Sequence, residues 1–411
     1  MSWWIVRPLH LLETCQARYG DVFTLRAPGV ERFVIVADPA LIRTILAADP
    51  DVLRAGVGNA TVLEPMLGKH SLLTLDGAEH LRQRRLLLPS FTGERMQGYA
   101  RAMRAITEAA IDAWPVGEPF AIQPWMQSIT LDVILETVFG LARTDRHAEL
   151  RARLVELLAI AANPWLLFSA LVGFDPFAHP RLRIARLKRA IDDALYAIIA
   201  ERRRAPAGGT DVLSMMLAAT DDAGRGMTDV ELRDELVTLL LAGHETTATA
   251  LAWAIDRLLA HPAELAKVAD GGDAYLDCVI RETLRVRPIV PLIGRHVARP
   301  YTLGRWELPV GTQLAPSIYL AARRPDAYPE PARFRPERWV GVKPDPTTWL
   351  PFGGGIRRCI GMAFAQLEMR VVLDAIVSRV RLSLAGGPAR VVRRGITLAP
   401  AHGRRVVVQR R

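Results

Sequence analysis

A cysteine at the end of a glycine-rich run is the first feature of this sequence that could support chemistry. The run is Phe352-Gly353-Gly354-Gly355-Ile356-Arg357-Arg358-Cys359-Ile360-Gly361, and a helical pattern begins directly after it. The dipole and free backbone N–H groups of a helix N-terminus favour an anion, and the two arginines act in the same direction. The glycines let a flat group approach the backbone, and the G-x-G-x-x-G and Gly-Lys-Ser/Thr patterns of phosphate loops are missing. The segment therefore predicts a thiolate at Cys359.

Gly243-His244-Glu245-Thr246-Thr247 is the second such feature, and it lies in the middle of a long apolar helix. The helix is predicted to begin at a T-x-x-E capping box, Thr228 and Glu231, and to extend over roughly 45 Å. Glycine and an unpaired carboxylate are costly inside a buried helix, so the segment indicates a functional site. A bend in which threonine hydroxyls bond the preceding turn is the alternative. Zinc is disfavoured because Ala248 replaces the second histidine of H-E-x-x-H.

Glu282 and Arg285 form an i,i+3 pair that alone would indicate only an ion pair on a helix surface. Together with the two segments above, the pair belongs to a set of motifs that resembles the cytochrome P-450 superfamily. The family patterns A-G-x-[D/E]-T, E-x-x-R, P-E-R-[F/W] and F-x-x-G-x-R-x-C-x-G match residues 242–246, 282–285, 336–339 and 352–361, in the family's order. The resemblance extends from about residue 19 to the end of the chain. It implies a long central helix over a haem and a cysteine-ligand loop beneath.

The resemblance implies that the Cys359 thiolate ligates the haem iron. Because no C-x-x-C-H is present, we expect haem b, held without thioether bonds. Backbone N–H groups of Ile360 and Gly361 are expected to bond the sulfur, and Phe352 and Gly353 to contact the haem. Arginine suits carboxylates, so the expected partners of the haem propionates are basic side chains. These partners are His80, Arg84, Arg295 and Arg357. The family's buried structural triad is expected at Glu282, Arg285 and Arg338.

On the other side of the haem, the resemblance places an oxygen-activating segment that contains Ala242, Gly243, Glu245 and Thr246. Gly243 and Thr246 are expected to open a kink for O2, and Thr246 and Glu245 to deliver protons to it. His244 is expected to point into packing. An acid–threonine pair favours an O2-dependent monooxygenase, whereas a peroxide-driven peroxygenase of this family typically carries Arg-Pro. A non-catalytic haem-binding sensor or carrier is the alternative from another class, since it would not need the acid and the threonine.

The residues expected to line the substrate pocket are nearly all aliphatic, which favours a lipophilic substrate. These residues are Leu72, Leu73, Leu239, Ala242, Val290, Leu292, Ile293, Ile396, Thr397 and Leu398. Terpenoids, steroids and fatty acids are all compatible with such a pocket. No charged anchor for a carboxylate is evident, which favours a terpenoid or a steroid. The apolar segment 165–174 is expected to form an access lid, with contact to a membrane surface as a second interpretation.

Part of the formal net charge of +10 is expected to serve the haem propionates and part an acidic electron donor, while the rest is compositional and nucleic acid is disfavoured. The basic residues are dispersed, without a long basic block or an aromatic–basic RNA motif. The resemblance implies an acidic ferredoxin or flavodoxin that docks on the cysteine side, near Arg82, Arg85, Arg357 and Arg358. Three cysteines in 411 residues are too few for a disulfide framework and fit a reducing cytoplasm. We expect a monomer.

The elements that position these residues predict a mainly α fold with small β-sheets at its margins, organised as one domain over residues 1–411, and we expect that some N-terminal residues are missing from this sequence. Helices are predicted near 77–88, 94–113, 124–139, 146–161, 180–204, 228–259, 272–286 and 361–379. A hairpin is predicted over 21–37, and strands near 293–298, 301–307, 312–316, 380–385 and 396–408. The uncharged run 157–174 is predicted to contain two helix ends and no transmembrane span, because Asn163-Pro164 interrupts it.

Overall fold

The computed structural model describes residues 7–27, 30–93, 95–141, 145–163, 175–179, 182–204 and 208–410. Within these ranges the chain is mainly helical, as the sequence predicts. The helices are α1 (Pro8–Tyr19), α2 (Pro39–Ala47), α3 (Gly56–Leu67), α4 (Gly77–Leu87), α5 (Arg95–Asp112), α6 (Ile122–Thr137), α7 (Asp145–Ala161), α8 (Arg183–Arg204), α9 (Val212–Ala218), α10 (Asp229–Ala260), α11 (Pro262–Val286), α12 (Ile318–Ala321) and α13 (Met362–Arg379).

Most predicted helices agree with these bounds within about three residues, and two differences have local causes. The helix predicted over 272–286 is the second part of α11, which begins at Pro262 and is bent at Gly272, where φ is 56°. The sequence prediction began there because the glycines interrupt the apolar period. Helix α1 was not predicted, although Pro8 stands in its first turn, a position that proline favours.

The β-strands form four small sheets at the margins of the helical body. The strands are β1 (Val22–Ala27), β2 (Val30–Val36), β3 (Leu53–Arg54), β4 (Phe120–Ala121), β5 (Arg295–Val297), β6 (Tyr301–Leu303), β7 (Trp306–Leu308), β8 (Gln313–Pro316), β9 (Val380–Leu384), β10 (Val391–Arg394), β11 (Thr397–Pro400) and β12 (Arg405–Arg410). The largest sheet has the order β1-β2-β8-β5-β3, and its predicted β1–β2 hairpin pairs Val22 with Val36.

Two strands predicted as continuous are each divided by a turn. The strand predicted over 301–307 is the hairpin β6–β7, which turns at Gly304 with φ of 59°. The strand predicted over 396–408 becomes β11 and β12, separated by a short 3-10 helix, Ala401–Gly403. In that turn His402 and Arg404 both adopt positive φ. Gly403 in the same turn also has positive φ, and glycine and histidine both favour such a conformation, so the prediction of one continuous strand overlooked a turn signal.

Helix α10 crosses the middle of the molecule and packs against α6, α11 and α13. The Thr228 hydroxyl accepts from the Glu231 N–H and the Glu231 carboxylate accepts from the Thr228 N–H, which forms the predicted capping box. Most of α10 is buried, and its Trp253 is fully so. Ala242, near the middle of the helix, is nevertheless exposed. A small apolar residue exposed at the centre of a buried helix indicates an internal cavity.

None of the helices that the structure describes is both long and apolar enough to cross a membrane. The predicted lid, 165–174, lies outside the described residues.

A buried ion pair ties α11 to the segment that precedes the cysteine loop. Arg285 donates from Nε and Nη2 to the two Glu282 oxygens, each at 2.8 Å, and neither side chain is exposed. Arg338 donates to Glu282 at 3.1 Å, and the Trp339 indole donates to it at 2.9 Å. Remaining Arg285 donors bond the carbonyls of Ala322, Pro331 and Arg333. Because every donor and acceptor is engaged, the pair can be buried without a large penalty.

We predict that Glu282→Gln lowers the free energy of unfolding by about 3–5 kcal/mol, because the Arg285 charge would remain buried without its counter-charge. Denaturant unfolding followed by circular dichroism measures the change. Glu149→Gln is the matched control, since Glu149 and Arg153 form an exposed i,i+4 pair. The control is expected to cost less than about 1 kcal/mol. Similar losses in both variants would contradict a special role for the buried pair.

Candidate active site

A cavity of about 670 Å³ lies beneath α10 and extends to the cysteine loop. Of the ten residues predicted for the substrate pocket, the structure places nine in its wall: Leu72, Leu73, Leu239, Ala242, Val290, Leu292, Ile293, Ile396 and Thr397. The tenth, Leu398, is buried in the core, and its carbonyl accepts from the Trp253 indole at 2.8 Å. In β11 successive side chains alternate, so Leu398 faces away from the side to which Thr397 points.

The cysteine loop is shaped by close contact with α2. Gly353 and Gly355 have φ of 67° and 62°, conformations that other residues adopt at a cost. A Cβ atom on Gly355 would lie 2.2 Å from the Leu46 carbonyl oxygen. The Cys359 N–H donates to the Phe352 carbonyl at 2.9 Å, which closes the loop just before α13. Together these contacts hold the thiol at the cavity wall.

The Cys359 thiol lines the cavity together with the four other predicted loop contacts, Phe352, Gly353, Ile360 and Gly361. Burial raises the pKa of Cys359, and the Gly361 N–H, Arg84 and Arg358 oppose that rise. The sequence argument that the helix end and arginines favour the thiolate is therefore incomplete, because desolvation is the larger effect. A cation bound at the sulfur would reverse the balance, since a coordinating thiol is deprotonated.

The four basic residues predicted to hold carboxylates all line the cavity: His80, Arg84, Arg295 and Arg357. Burial, with a contribution from Arg357, lowers the pKa of His80 to about 4 and that of Arg295 to about 10. Burial also lowers the pKa of Arg84. These groups disfavour one another's charge. The arrangement is complementary to an anion with more than one negative group.

Asp76, which the sequence analysis missed, is an acidic neighbour of this cluster. It forms an ion pair with Arg357 and accepts the backbone N–H groups of residues 55–57 at 2.9–3.1 Å. It therefore connects the start of α3 to the cysteine loop. One carboxylate that already accepts three N–H groups cannot neutralise four basic side chains. No local pattern marks Asp76 in the sequence, because its partners lie about 20 and about 280 residues away.

The predicted oxygen-activating segment faces the cavity, with Ala242, Gly243, Glu245 and Thr246 in its wall. Thr246 Oγ1 donates to the Ala242 carbonyl at 2.6 Å. This is the hydrogen bond from a threonine hydroxyl to the preceding turn that the sequence allowed as an alternative. The predicted kink is not seen, because α10 is continuous through this segment. Gly243 packs closely against α6. A Cβ there would lie 3.2 Å from Ile134 Cδ1, the flexible end of that side chain, so a small shift of Ile134 would accommodate it.

The Glu245 carboxylate is held by two residues that the sequence analysis did not predict. Gln127 Nε2 donates to Oε2 at 2.6 Å, and Arg394 Nε donates to Oε1 at 3.3 Å. His244 is buried, as predicted, and its Nε2 contacts the Gln127 carbonyl at 3.0 Å. Burial lowers the pKa of His244 to about 4. Gln127 and Arg394 lie more than 100 residues from Glu245, so only the fold brings them together.

The structure corrects two predicted contributions to a donor surface, those of Arg82 and Arg357, because Arg357 is paired with Asp76 and lines the cavity. Arg82 is bound to Asp221 at 2.8 Å and to Glu231 at 2.7 Å, and it is largely buried by these contacts. Its charge therefore serves the structure and is not free for an electron donor. Arg85 pairs with Asp222, but both side chains are mostly exposed. Arg358 is also exposed.

Comparison with known proteins gives the family of this chain. The family model described as cytochrome P450 matches residues 4–271 and 274–401. Cytochrome P450 135B1 of Mycobacterium tuberculosis is 44% identical over 390 residues, which cover 91% of this chain and 81% of that protein. Cytochrome P450 135A1 of the same organism is 39% identical over 413 residues, with 97% and 91% covered. The chain belongs to the cytochrome P450 family, whose members in general are haem-thiolate monooxygenases.

Solved structures show the same fold. Retinoic-acid-bound cyanobacterial CYP120A1 superposes with a TM-score of 0.86 at 24% identity, over 99% of this chain and 95% of that chain. The cytochrome P450DA haem domain gives a TM-score of 0.84 at 24% identity, over 98% and 92%.

The residues around the cavity fit a haem. The Cys359 thiol at the cavity wall provides a soft ligand of the kind that binds iron, and its loop permits a flat group to approach the backbone. The basic cluster has too few carboxylates of its own among the described residues, and the two haem propionates would compensate it. The remaining cavity wall is predominantly aliphatic, as an iron porphyrin requires.

We predict that Gly355→Ala lowers both the melting temperature and the haem content of the purified protein. The positive φ alone costs about 1–3 kcal/mol, and the new Cβ would overlap the Leu46 backbone. Gly354→Ala is the matched control, because its Cβ would meet the flexible end of the Leu46 side chain at 2.7 Å. Circular dichroism and haem absorbance measure the two effects. Equal behaviour of the variants would contradict the proposed backbone contact.

A second prediction concerns His244. Its pKa is lower in the folded than in the unfolded protein, so the unfolded state binds more protons below about pH 6.5. Stability is therefore expected to fall as the pH decreases from about 6.5 to about 4. His244→Gln should reduce this fall by up to about 1.4 kcal/mol per pH unit. Unfolding at a series of pH values tests this, with exposed His10→Gln as the control. An unchanged slope in His244→Gln would contradict the assignment.

Proposed function

We propose that this protein is an O2-dependent haem-thiolate monooxygenase that hydroxylates a lipophilic substrate. The observation that carries the proposal is that the Cys359 loop and the Glu245–Thr246 segment line the same cavity. The cofactor is haem b, with Cys359 as the iron ligand, because no residues for thioether attachment are present. When bound, the haem supplies the activation of O2 and the transfer of one oxygen atom to a C–H bond. The overall reaction consumes two electrons and two protons and forms the hydroxylated product and water.

The basic cluster would hold the haem by its propionates. Arg295 and Arg357 offer planar, bidentate donors, while His80 and Arg84 complete the site from one face of α4. Binding of the propionates would oppose the burial and the repulsion from Arg357 that lower the pKa of His80 and Arg295. The Gly361 N–H, which already favours a negative sulfur, would bond the thiolate, and Ile360 lies beside it.

Glu245 and Thr246 would move protons to the cavity. The Thr246 hydroxyl is at the cavity wall and can turn from the Ala242 carbonyl toward a ligand. The Glu245 carboxylate accepts and releases a proton at Oε1, the atom that Arg394 contacts. Arg394 and Gln127 are positioning residues, because they hold Glu245 and do not themselves transfer the proton. The Arg394–Glu245 contact is long enough to open when Glu245 binds a proton.

The substrate is proposed to be a steroid or a terpenoid. The wall of the cavity away from the basic cluster is formed mainly by leucine, isoleucine, valine and methionine side chains. Burial of such a surface favours a lipophilic molecule of corresponding size. Arg394 lines the pocket but is paired with Glu245, which disfavours its use as an anchor for a fatty-acid carboxylate.

The electrons are proposed to come from an acidic ferredoxin or flavodoxin. Arg85 of α4 and Arg358 of the cysteine loop remain exposed and can attract a negative partner, an effect that mainly accelerates encounter. We further propose that residues 1–411 act as one domain and as a monomer. The described cysteines are all free, which is consistent with the cytoplasm as the site of action.

A peroxygenase and a haem sensor or carrier would also use the Cys359 thiolate, and one experiment distinguishes both from a monooxygenase. The protein is supplied with a surrogate ferredoxin, its reductase and NADPH under labelled O2, and in parallel with hydrogen peroxide alone. Label in a hydroxylated product supports the monooxygenase. Efficient product formation with peroxide alone would support a peroxygenase, and no product under either condition would support a haem sensor or carrier. A steroid and terpenoid library, screened first for spin-state shifts, supplies the substrates.

We predict that Thr246→Ala keeps substrate binding but decreases the yield of product per electron several-fold. Loss of the hydroxyl interrupts proton delivery, so electrons are released as hydrogen peroxide. NADPH consumption, product and peroxide are measured together. Thr246→Ser is the matched control because it retains the hydroxyl, and it should behave nearly as the unchanged protein. Unaltered coupling in the alanine variant would contradict the role of Thr246.

A further inference from the structure

Glu235 is a buried acid in the cavity wall that the reaction described above does not use. It lies on α10, about two turns before Ala242, where the oxygen-activating segment begins. It lines the same cavity. Its side chain is 0% exposed. Unlike Glu245, it has no arginine partner among the residues that the structure describes, and its acidic neighbours Asp234 and Glu231 disfavour its charge.

Neither oxygen of the Glu235 carboxyl has a hydrogen-bond partner among the residues that the structure describes. The Leu72 N–H is close enough to oppose the rise of its pKa, but burial has the larger effect and raises that pKa well above its ordinary value. Burial therefore favours the neutral carboxylic acid, the form that has one O–H to donate. A buried donor without a partner is costly, so a ligand that accepts from it would recover free energy.

The polar surroundings of Glu235 are confined to one small region. Thr238, one turn along α10, also lines the cavity, and its hydroxyl lies 2.7 Å from the Ser71 hydroxyl. Thr238 also donates to the Asp234 carbonyl at 2.6 Å, so its hydrogen is engaged. The surrounding wall is apolar, with Leu63 and Met66 of α3 and Leu72 following it. Among the described residues of this region, the Glu235 carboxyl is therefore the hydrogen-bond donor that lacks a partner.

The distance from Glu235 to the oxygen-activating segment defines the length of a ligand that could reach both. Glu235 and Thr246 are 11 residues apart on one helix, which corresponds to about 16 Å along its axis. Glu235, Thr238, Leu239, Ala242 and Thr246 follow the i, i+3, i+4 spacing of one helix face, and all line the cavity. One face of α10 therefore connects the two positions through an apolar surface.

We propose that Glu235 is a specificity-determining residue that donates a hydrogen bond to a ketone or hydroxyl oxygen of a lipophilic substrate. This proposal rests on the proposed function and deepens it. The oxygen group of the substrate lies near Glu235, and the carbon to be hydroxylated lies roughly 10–15 Å away, toward Ala242 and Thr246. An oxygenated steroid or terpenoid satisfies these conditions. A fatty-acid carboxylate directed to this end does not, because two acids would meet in an apolar region.

The experiment compares ligands that share one androstane skeleton and carry at one end a ketone, a hydroxyl, an amine, a carboxylate or no polar group. Dissociation constants are measured for the holoenzyme by equilibrium dialysis, which requires no turnover. We expect the ketone or the hydroxyl compound to bind about tenfold more tightly than the parent hydrocarbon, the value of one good buried hydrogen bond. The carboxylate is expected to bind most weakly.

Two variants of Glu235 separate hydrogen bonding from charge. Glu235→Leu should abolish the tenfold preference and raise the melting temperature, since it removes a buried polar group that has no partner. Glu235→Gln should keep most of the preference, because the amide can still donate. Glu368→Leu is the matched control: Glu368 is another fully buried carboxyl with an unpartnered oxygen, but it does not line the cavity. It should leave the preference unchanged.

Several outcomes would overturn the proposal. These are equal binding of the ketone and the hydrocarbon, a preference that persists in Glu235→Leu, or tightest binding of the amine with its loss in Glu235→Gln. The last would assign Glu235 to a cationic ligand instead. If the binding differences occur as expected but no hydroxylated product forms, the monooxygenase function fails and the ligand assignment stands.

Discussion

Placement of the Cys359 thiol and four basic side chains around one internal cavity is the constraint on which the rest of the structure depends. Desolvation disfavours the thiolate and the charged form of His80 and Arg295, and the protein supplies Asp76 as their acidic neighbour. The site is therefore electrostatically incomplete by itself. A bound haem would compensate both parts, because its iron would stabilise the thiolate and its propionates would neutralise the basic cluster. The surrounding structure must therefore hold these groups in place before a haem binds.

Two rigid connections provide this support. Helix α10 passes through the core as one continuous element, so the oxygen-activating segment is fixed relative to α6 and α13, which pack against it. The fully bonded pair of Glu282 and Arg285 anchors α11 to the segment before the cysteine loop. The loop itself is pressed against Leu46 at Gly355. Because these contacts involve backbone and buried charges, small displacements would be costly.

Two glutamates on α10 show how the same residue type can serve different purposes. Glu245 is held by Gln127 and Arg394, which suits a group that must exchange a proton at one position. Glu235 is equally part of the cavity wall but lacks a partner among the described residues, which suits a group whose partner is a ligand. The helix thus carries a fixed acid near the oxygen-activating segment and an available donor farther along. Between them the surface is apolar.

Much of this protein was determined by sequence alone, because the decisive signals are local. Helix period, the Thr228–Glu231 capping box and the cysteine loop are properties of neighbouring residues, and the four motifs together indicated the family. The tertiary structure decided what depends on distant residues. It showed that Arg82 is bound to Asp221 and Glu231, that Leu398 lies in the core, and that α10 is not broken at Gly243. It also brought Arg394 to Glu245 and left Glu235 without a partner. Burial and long-range pairing arise only when the chain is folded, and no residue pattern encodes them locally.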